Sequence, residues 1–305
     1  MTNHIPVVFC CDKKYAPYAA VASYSLCRHS KSGLKLIWMV PASDLNDIRP
    51  IVNQMTKMGI GPKVVVVPED RFDGWDTREY ISLASYIRLL IPDFLDEEKV
   101  IYLDCDTLVL DDLKPLFALD MQGCSIAGVE DLSGRKDILV PLPTAATYIN
   151  SGVLLMDLGM LRKDDFFKKC QHIYAEHSEK LRWMDQCVIN CYLQGNVQLL
   201  DGHWNCQILP NWTVPEKRQA ILRHTKPAIM HFLGAVKPWQ AWCNPVIAKY
   251  WWQYANDSGL SPLPKVPVTH LGQSIELARV LDMNEDFLAA SQLKDTIINQ
   301  LMNKN

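Results

Sequence analysis

The sequence lacks the long apolar segment that a membrane-spanning helix requires. No uninterrupted apolar run in its 305 residues approaches the roughly 20 residues needed to cross a bilayer. The N-terminal stretch MTNHIPVVFCCDKK has no basic segment followed by an apolar core, so it does not have the pattern of a secretory signal peptide. We therefore expect a cytoplasmic protein, with a peripheral position at the inner face of the membrane as the alternative.

An excess of charge of one sign is also missing. The sequence has 31 Lys and Arg residues against 34 Asp and Glu residues, which gives a net charge of −3. This balance gives no sign of the basic surface with which nucleic-acid-binding proteins neutralise phosphates. Hydrophobic residues make up 49% of the chain and charged residues 21%, so we expect a folded globular protein.

The ten cysteines do not form a single C-x-x-C pair, the spacing that zinc sites and redox-active disulfides commonly use. Cys10 and Cys11 are adjacent, and Cys187 and Cys191 lie four apart in a helical pattern. In a chain without an export signal, such cysteines are typically reduced and serve as small apolar side chains.

The sequence does contain a regular alternation of strand and helix patterns. The apolar runs IPVVFCC, LKLIWMV and KVVVVP are separated by helical segments, and SLASYIRLLIPDFL is predicted to carry a helix that Pro92 stops before a further strand. Such strands are typical of a mostly parallel, Rossmann-like α/β sheet with helices on both faces. Ligands of these sheets bind beyond the carboxyl ends of the strands, and Asp12, Asp104 and Asp106 fall at such ends.

The C-terminal part of the sequence differs in composition from the rest. Prolines cluster in residues 258–269, which we predict to be a linker between a main domain, residues 1–257, and a tail, residues 270–305. The tail has the apolar spacing of one or two amphipathic helices. Its excess of acidic residues disfavours a membrane surface, and homo-oligomer formation is one role that its apolar spacing fits.

The run VIYLDCDTLVL places two aspartates in an otherwise apolar strand. On a strand, Asp104 and Asp106 point to one face and Cys105 to the other. Two buried carboxylates repel each other unless they share a proton or bind a cation. Three interpretations follow, namely an exposed turn, the nucleophile and acid of a haloacid-dehalogenase-type phosphatase, and a site for a divalent cation. The apolar flanks argue against the exposed turn.

The phosphatase interpretation fails on context, whereas the cation interpretation finds a further ligand. A three-strand unit precedes the aspartates, and the sequence contains no Gly-Asp dipeptide for a downstream acidic motif. His231, in PAIMHFLGAVKPW, follows an apolar run and offers an imidazole. Carboxylates with one imidazole suit Mn²⁺. Lys237, which precedes Pro238 and Trp239, offers a fixed ammonium that would neutralise charge on a leaving diphosphate.

Six segments in series resemble the family 8 glycosyltransferases, which include bacterial lipopolysaccharide galactosyl- and glucosyltransferases and glycogenin. They are SLASYIRLLIPDFL with KVIYLDCDTLVLDDL, then YINSGVLLMDL, WMDQCVIN, HWN and HFLGAVKPW. The resemblance runs from about Ile5 to about Ala255. It implies a GT-A fold, with a helical C-terminal extension, and a metal-dependent enzyme that retains the anomeric configuration of the sugar.

The resemblance also implies roles for individual residues. Asp104, Asp106 and His231 match the ligands of Mn²⁺, with Mg²⁺ as the alternative, which bridges the phosphates of a UDP-sugar. Lys237 matches a lysine that closes over the diphosphate, and Arg88 an arginine near the phosphates and the donor sugar. The predicted catalytic residues are Gln186, Asp185, Arg88 and Lys237, and the predicted substrate-binding residues are Cys10, Asp12, Asn150, Asp104, Cys105 and Gly234.

Among these, Asn150 matches an asparagine that faces the donor sugar, and Asp185 an acceptor of a sugar hydroxyl. Gln186 matches an amide beside the anomeric carbon, to which we assign positioning and electrostatic help. Cys10 and Asp12 match the strand end where the uracil and ribose lie. The choice between glucose and galactose is expected to depend on Asp185, Asn150 and the loop EDLSGRKDILVPLP.

The implied function is transfer of a hexose from a UDP-sugar to a hydroxyl of a glycan, a lipid-linked glycan or a related acceptor. The alternative is a sugar-nucleotide-binding protein of the same fold with little turnover. One departure bears on the nucleotide. Members of the family often have an acidic residue and an asparagine where this chain has Lys13 and Lys14. These ammonium groups either strengthen phosphate binding or are solvated.

Overall fold

A computed structural model describes residues 4–76, 83–131, 142–143, 146–209, 226–260, 263 and 265–302. Within them the strands, in chain order, are β1 (His4–Cys10), β2 (Gly33–Pro41), β3 (Lys63–Val67), β4 (Lys99–Leu103), β5 (Thr107–Val109), β6 (Ile126–Glu130), β7 (Ile149–Asp157), β8 (Gln198–Leu199), β9 (Cys206–Ile208) and β10 (Ile229–Phe232). Most of the loop expected to bear on the choice of sugar, residues 132–141, lies outside the described residues.

Seven strands form the central sheet, in the order β3-β2-β1-β4-β7-β6-β8. Strands β3, β2, β1 and β4 pair in parallel, which confirms the expected mostly parallel α/β sheet. Strand β7 runs antiparallel to both of its neighbours, with Leu103 opposite Val153 and Lys99 opposite Asp157. Because of this reversal, the first residues of β7 lie at the edge of the sheet where β4 ends.

Strands β1 and β4, at the centre of the sheet, are apolar and buried after their first residue, and both of their faces are covered. In β1, Val7, Val8 and Phe9 are fully buried, and so are Ile101 and Leu103 of β4. A strand with one solvated face would instead alternate apolar and polar residues. The continuous runs in the sequence therefore predicted correctly that these strands are covered on both faces.

The α-helices of the described residues are α1 (Ala16–His29), α2 (Leu45–Lys57), α3 (Ala84–Ile87), α4 (Ile91–Phe94), α5 (Lys114–Phe117), α6 (Leu158–Lys163), α7 (Phe166–His177), α8 (Met184–Leu193), α9 (Pro245–Asp257), α10 (Leu271–Met283) and α11 (Phe287–Met302). Helix α2 ends as expected before Gly59, whose φ of +79° is favourable only for glycine. Helices α10 and α11 confirm the helical C-terminal extension.

The segment predicted as a single helix around Arg88 is broken into shorter pieces. Helix α3 is followed by a 3₁₀ turn, Arg88–Leu90, and then by α4. Pro92, in the first turn of α4, has no N–H to donate, and its ring conflicts with the carbonyl four residues earlier. At this break Arg88 Nε donates to Ser85 O at 2.8 Å.

The chain divides into two compact units. The first comprises Met1–Cys206 and Thr225–His231, and the second comprises Gln207–His224 and Phe232–Asn305. In the second unit, α9 buries Trp251 against Trp239, with ring centroids 5.3 Å apart. The division at 257 and 269 expected from the prolines remains a prediction.

Two further observations concern the expectations from composition. None of the ten cysteines, all of which belong to the described residues, is in a disulfide. Across the part of the chain that the structure describes, no helix combines the length and the apolar character that crossing a bilayer would require.

Candidate active site

The turn that follows β4 carries the paired aspartates. The chain leaves β4 at Leu103 and turns through Asp104 and Asp106 before β5 begins at Thr107. The Asp104 N–H donates to Gly152 O at 2.8 Å, and Thr107 Oγ1 donates to the Asp104 carbonyl at 2.8 Å. The expectation of two carboxylates on a strand is therefore wrong in detail. They lie in a turn, and Asp106 is nevertheless only 8% exposed.

A neighbouring strand brings His231 to the same turn. Strand β10 pairs antiparallel with β5, and His231 lies opposite Thr107. Its Nε2 lies 3.3 Å from Asp106 Oδ1 and 3.6 Å from Asp104 Oδ2. One ligand atom from each of the three side chains lies within 4.8 Å of the others. Sequence analysis predicted this set of three, and the fold brings it together.

The three side chains fit a divalent cation by their chemistry and by the space around them. Carboxylate oxygens with one imidazole nitrogen are ligands that Mn²⁺ and related cations accept. Gly152 leaves room beside them, because a β-carbon added there would lie 2.1 Å from His231 Cε1 and 2.7 Å from Asp104 Oδ2. A side chain at Gly152 would thus collide with two of the three candidate ligands, His231 and Asp104.

Arg88 links the paired aspartates to the start of α8. Its Nη2 lies 2.9 Å from Asp104 Oδ1, and its Nε lies 3.2 Å from Asp185 Oδ2. Its guanidinium carbon lies 4.6 Å from the centre of the Tyr102 ring, and the Tyr102 hydroxyl donates to Asp104 Oδ1 at 2.5 Å. Burial raises the pKa of Asp185 to about 6, although Arg88 and a hydrogen bond from Ser151 oppose that rise.

A network of amides lies beside this ion pair. Asn150 Nδ2 and Gln186 Nε2 both donate to Asp131 Oδ2 at 3.1 Å. Gln186 Oε1 accepts from Asn150 Nδ2 and from the Ser151 N–H, each at 3.1 Å. Asn150 Oδ1 accepts from the Gly152 N–H at 3.0 Å. The predicted residues Asn150 and Gln186 thus lie together, next to Asp131.

The end of β1 is in contact with the turn that carries the two aspartates. Cys105 Sγ donates to Cys10 O at 3.2 Å, so Cys105 contacts the end of β1. Burial raises the pKa of the Cys10 thiol well above its usual value. Asp12 Oδ1 accepts from the Tyr15 N–H at 2.8 Å, which fixes the turn into α1. The contacts of Cys10 and Asp12 with a nucleotide remain a prediction.

Lys13 is engaged by acidic side chains around the start of α2. Its Nζ lies 3.4 Å from Asp44 Oδ1 and 3.2 Å from Asp47 Oδ2. Its backbone N–H also donates to Asp44 Oδ2 at 3.1 Å. Lys14 is exposed. Of the two lysines, Lys13 therefore already has carboxylates as partners.

Lys237 and Gly234 belong to the second compact unit. Lys237 is only 7% exposed, and its Nζ donates to Phe232 O at 2.7 Å. Gly234 has a φ of +78°, a conformation that favours glycine and allows the tight loop after β10. Their contact with a diphosphate remains a prediction.

Comparison with solved structures identifies the fold. The galactosyltransferase LgtC, solved in complex with donor and acceptor sugar analogues, matches with a TM-score of 0.72 and 24% sequence identity, over 85% of this chain and 98% of LgtC. The apo form of the glycosyltransferase GlyE from Streptococcus pneumoniae matches with a TM-score of 0.62, also at 24% identity, over 92% of this chain and 64% of GlyE. The fold is therefore GT-A.

Comparison of the sequence identifies the family. The model of glycosyl transferase family 8 matches residues 6–243. The chain belongs to glycosyl transferase family 8. This confirms the resemblance drawn from the six sequence segments, and the protein is a glycosyltransferase.

Curated relatives of this family 8 chain are distant. General stress protein A of Bacillus subtilis is 28% identical over 250 residues, which cover 77% of this chain and 87% of that protein. Glycosyltransferase GlyE of S. pneumoniae is 28% identical over 258 residues, or 82% of this chain and 60% of GlyE. The chain spans less than half of glycosyltransferase GlyF, 46% of its length, at 27% identity.

Several residues of this family 8 site were not found from the sequence. Ser151 adjoins the predicted residue Asn150, and Asp131 lies in the loop EDLSGRKDILVPLP, which the sequence predicts to bear on the choice of sugar without a role for Asp131 itself. Tyr102 was read only as an apolar strand residue. Asn205 was noted only within the HWN segment, yet its Oδ1 lies 3.0 Å from His231 Nδ1.

Proposed function

We propose that this glycosyltransferase moves a hexose, galactose or glucose, from a UDP-sugar to a hydroxyl of a glycan or related acceptor. The proposed reaction depends on Mn²⁺ and retains the configuration at the anomeric carbon. The observation that carries the proposal is the convergence of Asp104, Asp106 and His231 within 4.8 Å, beside a buried arginine. A nucleoside diphosphate is the anion for which such a set of charges is suited.

Asp104, Asp106 and His231 would hold the cation. When bound, Mn²⁺ would supply Lewis-acid stabilisation of the negative charge on the diphosphate leaving group. Lys237 would add an ammonium, and within its own unit that ammonium is buried and donates to Phe232 O. A buried, fixed cation stabilises a developing anion better than a solvated one, because it needs no reorganisation during the reaction.

Asp185 and Arg88 would bind the donor sugar. The Asp185 carboxylate is held by Arg88 Nε at 3.2 Å and by Ser151 Oγ, which donates to it at 3.2 Å. Both of these contacts are to Oδ2, so Oδ1 retains the capacity to accept from a sugar hydroxyl. Gln186 is fixed by three hydrogen bonds of its amide and would hold the anomeric carbon in position.

Retention follows when the acceptor hydroxyl enters on the face from which UDP departs. In this proposal a departing phosphate oxygen takes the proton of the acceptor hydroxyl. Gln186 helps by position and electrostatics, because an amide is a poor nucleophile.

The experiment is release of UDP by the purified protein from a panel of UDP-sugars, with Mn²⁺ and with EDTA. Water can replace the acceptor in such an assay, so the acceptor need not be known. Release from one sugar that EDTA abolishes, and that Asp106→Ala also abolishes, is the expected result. Binding of UDP without release from any UDP-sugar, in the presence of glycan acceptors, would favour the sugar-nucleotide-binding alternative. No binding of UDP with Mn²⁺ would refute the proposal.

A further inference from the structure

The two nitrogens of the His231 ring face different partners. Nε2 faces Asp104 and Asp106, while Nδ1 lies 3.0 Å from Asn205 Oδ1. A ring nitrogen that carries a proton cannot bind a cation, so the position of that proton decides whether Nε2 is available as a ligand. An oxygen at Asn205 that accepts from Nδ1 keeps the proton on Nδ1.

The orientation of the Asn205 amide is fixed by Asn150. Asn205 Nδ2 donates to Asn150 Oδ1 at 2.9 Å, which leaves Oδ1 of Asn205 to face His231. The Asn150 amide cannot reverse, because its oxygen accepts from the Gly152 N–H and its nitrogen faces Asp131 Oδ2. A backbone N–H only donates and a carboxylate oxygen only accepts.

The hydrogen bonds among His231, Asn205 and Asn150 are buried, so losing one of them would cost stability. Asn205 is 1% exposed, Asn150 is 4% exposed and His231 is 3% exposed. Asn150 uses both of its N–H groups and both lone pairs within this network, in bonds to Asp131, Gln186, Gly152 and Asn205. Breaking one hydrogen bond would leave a buried polar group unsatisfied. The amides of Asn150 and Asn205 therefore each have one favourable orientation.

We propose that Asn205 is a positioning residue that holds His231 with its proton on Nδ1 and its Nε2 directed at the cation site, and that Asn150 fixes Asn205 in turn. The inference rests on the proposed function only in that a divalent cation binds at Asp104 and Asp106. It makes the affinity for the cation depend on Asn205 as well as on the three ligands.

The test is titration of the metal-free protein with Mn²⁺ alone, without nucleotide, followed by the electron paramagnetic resonance signal of unbound Mn²⁺. Asn205→Leu removes the acceptor at Nδ1 and is expected to weaken Mn²⁺ binding by roughly 10- to 100-fold. Asn205→Asp retains an acceptor there but places an oxygen against Asn150 Oδ1. It is expected to keep Mn²⁺ affinity well above that of Asn205→Leu, because a carboxylate is also a common partner of a metal-bound histidine, and to lower the melting temperature.

Asn244→Ala is the matched control, since Asn244 is a buried asparagine whose side chain caps α9 by accepting from the Val246 N–H. It is expected to lower the melting temperature without changing Mn²⁺ affinity. If Asn205→Leu does not fold, Asn205→Ser replaces it, because the shorter side chain no longer reaches Nδ1 of His231.

A double-mutant cycle separates positioning from packing. In a His231→Ala background, Asn205→Leu is expected to have no further effect on Mn²⁺ affinity, because the residue through which Asn205 acts is gone. Equal losses in both backgrounds would overturn the inference, and so would unchanged affinity of Asn205→Leu in the wild-type background. Absence of Mn²⁺ binding by the wild type would also overturn it. A wild type that binds Mn²⁺ but cleaves no UDP-sugar would refute the proposed function. The inference about Asn205 would then still be decided by the Mn²⁺ affinities of the variants.

Discussion

A β-carbon placed on Gly152 would lie 2.1 Å from Cε1 of His231. The two residues come from different strands, β7 and β10, and meet only because β7 runs antiparallel beside β4. Glycine at this position therefore leaves the space in which the three candidate ligands converge.

Gly152→Ala is expected to weaken Mn²⁺-dependent binding of UDP by roughly 10- to 100-fold, because overpacking of this kind displaces neighbouring side chains. Isothermal titration calorimetry with UDP and Mn²⁺ measures the effect. Gly202→Ala is the control, since a β-carbon there meets no atom within 4 Å. Equal affinities of Gly152→Ala and the wild type would show that a cation does not use this space.

Mn²⁺ is expected to stabilise the folded protein. At a concentration 100 times its dissociation constant, a ligand that binds only the folded state adds about 2.7 kcal/mol to the free energy of unfolding. Differential scanning calorimetry should therefore show a rise in melting temperature that EDTA reverses. Asp106→Asn should lose the rise, whereas Asp111→Asn, at an aspartate whose side chain is 48% exposed, should retain it. A rise that persists in Asp106→Asn would place the bound cation elsewhere.

Asp185 should make the stability of the protein depend on pH. Its pKa is raised by burial from 3.8 to about 6, so between these values the folded state holds a proton that the unfolded state has lost. The contribution of Asp185 to the free energy of unfolding is therefore largest below about pH 4 and falls as the pH rises to about 6. The side chain of the Asp185→Asn variant is neutral at every pH. The free energy of unfolding of the variant should therefore rise relative to that of the wild type from about pH 4 to about pH 6, and the difference should stay constant above about pH 6.

Urea unfolding from pH 4 to pH 8 in EDTA measures that difference. Asp201→Asn is the control, because hydrogen bonds from His203 lower the pKa of Asp201, which is largely exposed, from its usual value of 3.8. Its stability relative to the wild type should change only below about pH 4 and stay level from about pH 4 to pH 8. If the wild type gained on Asp185→Asn between pH 4 and 6, the attraction of Arg88 would outweigh burial at Asp185.

Removal of the Arg88 guanidinium should destabilise the protein strongly. Arg88→Met leaves Asp104 and Asp185 without their buried positive partner, and such a loss costs about 3–5 kcal/mol. Urea unfolding in EDTA at pH 8 gives the value. The double variant Arg88→Met/Asp185→Asn should lose less than Arg88→Met alone, because one of the two unpaired charges is gone. A double variant that is less stable than Arg88→Met would contradict this account.

Sequence analysis predicted much of the fold because its signals are local. Continuous apolar runs identified β1, β2 and β4, and the glycine after α2 identified the end of that helix. The prediction of one helix that Pro92 stops was wrong, because the helical path already breaks at Arg88, and Pro92 lies in the first turn of α4, where its missing N–H is tolerated. The positions of Asp104, Asp106 and His231 were predicted from residue type and order, and the fold brings these three side chains together.

What the sequence determined by itself is the chemistry of the candidate ligands and the apolar strands that end beside them. Only the tertiary structure decided how they meet. Antiparallel β7 brings Gly152 to Asp104, and pairing of β10 with β5 brings His231 to Thr107. Asn205 joins His231 across 26 residues of sequence. No local pattern encodes such contacts, because strand order and direction depend on how the whole sheet buries its apolar faces.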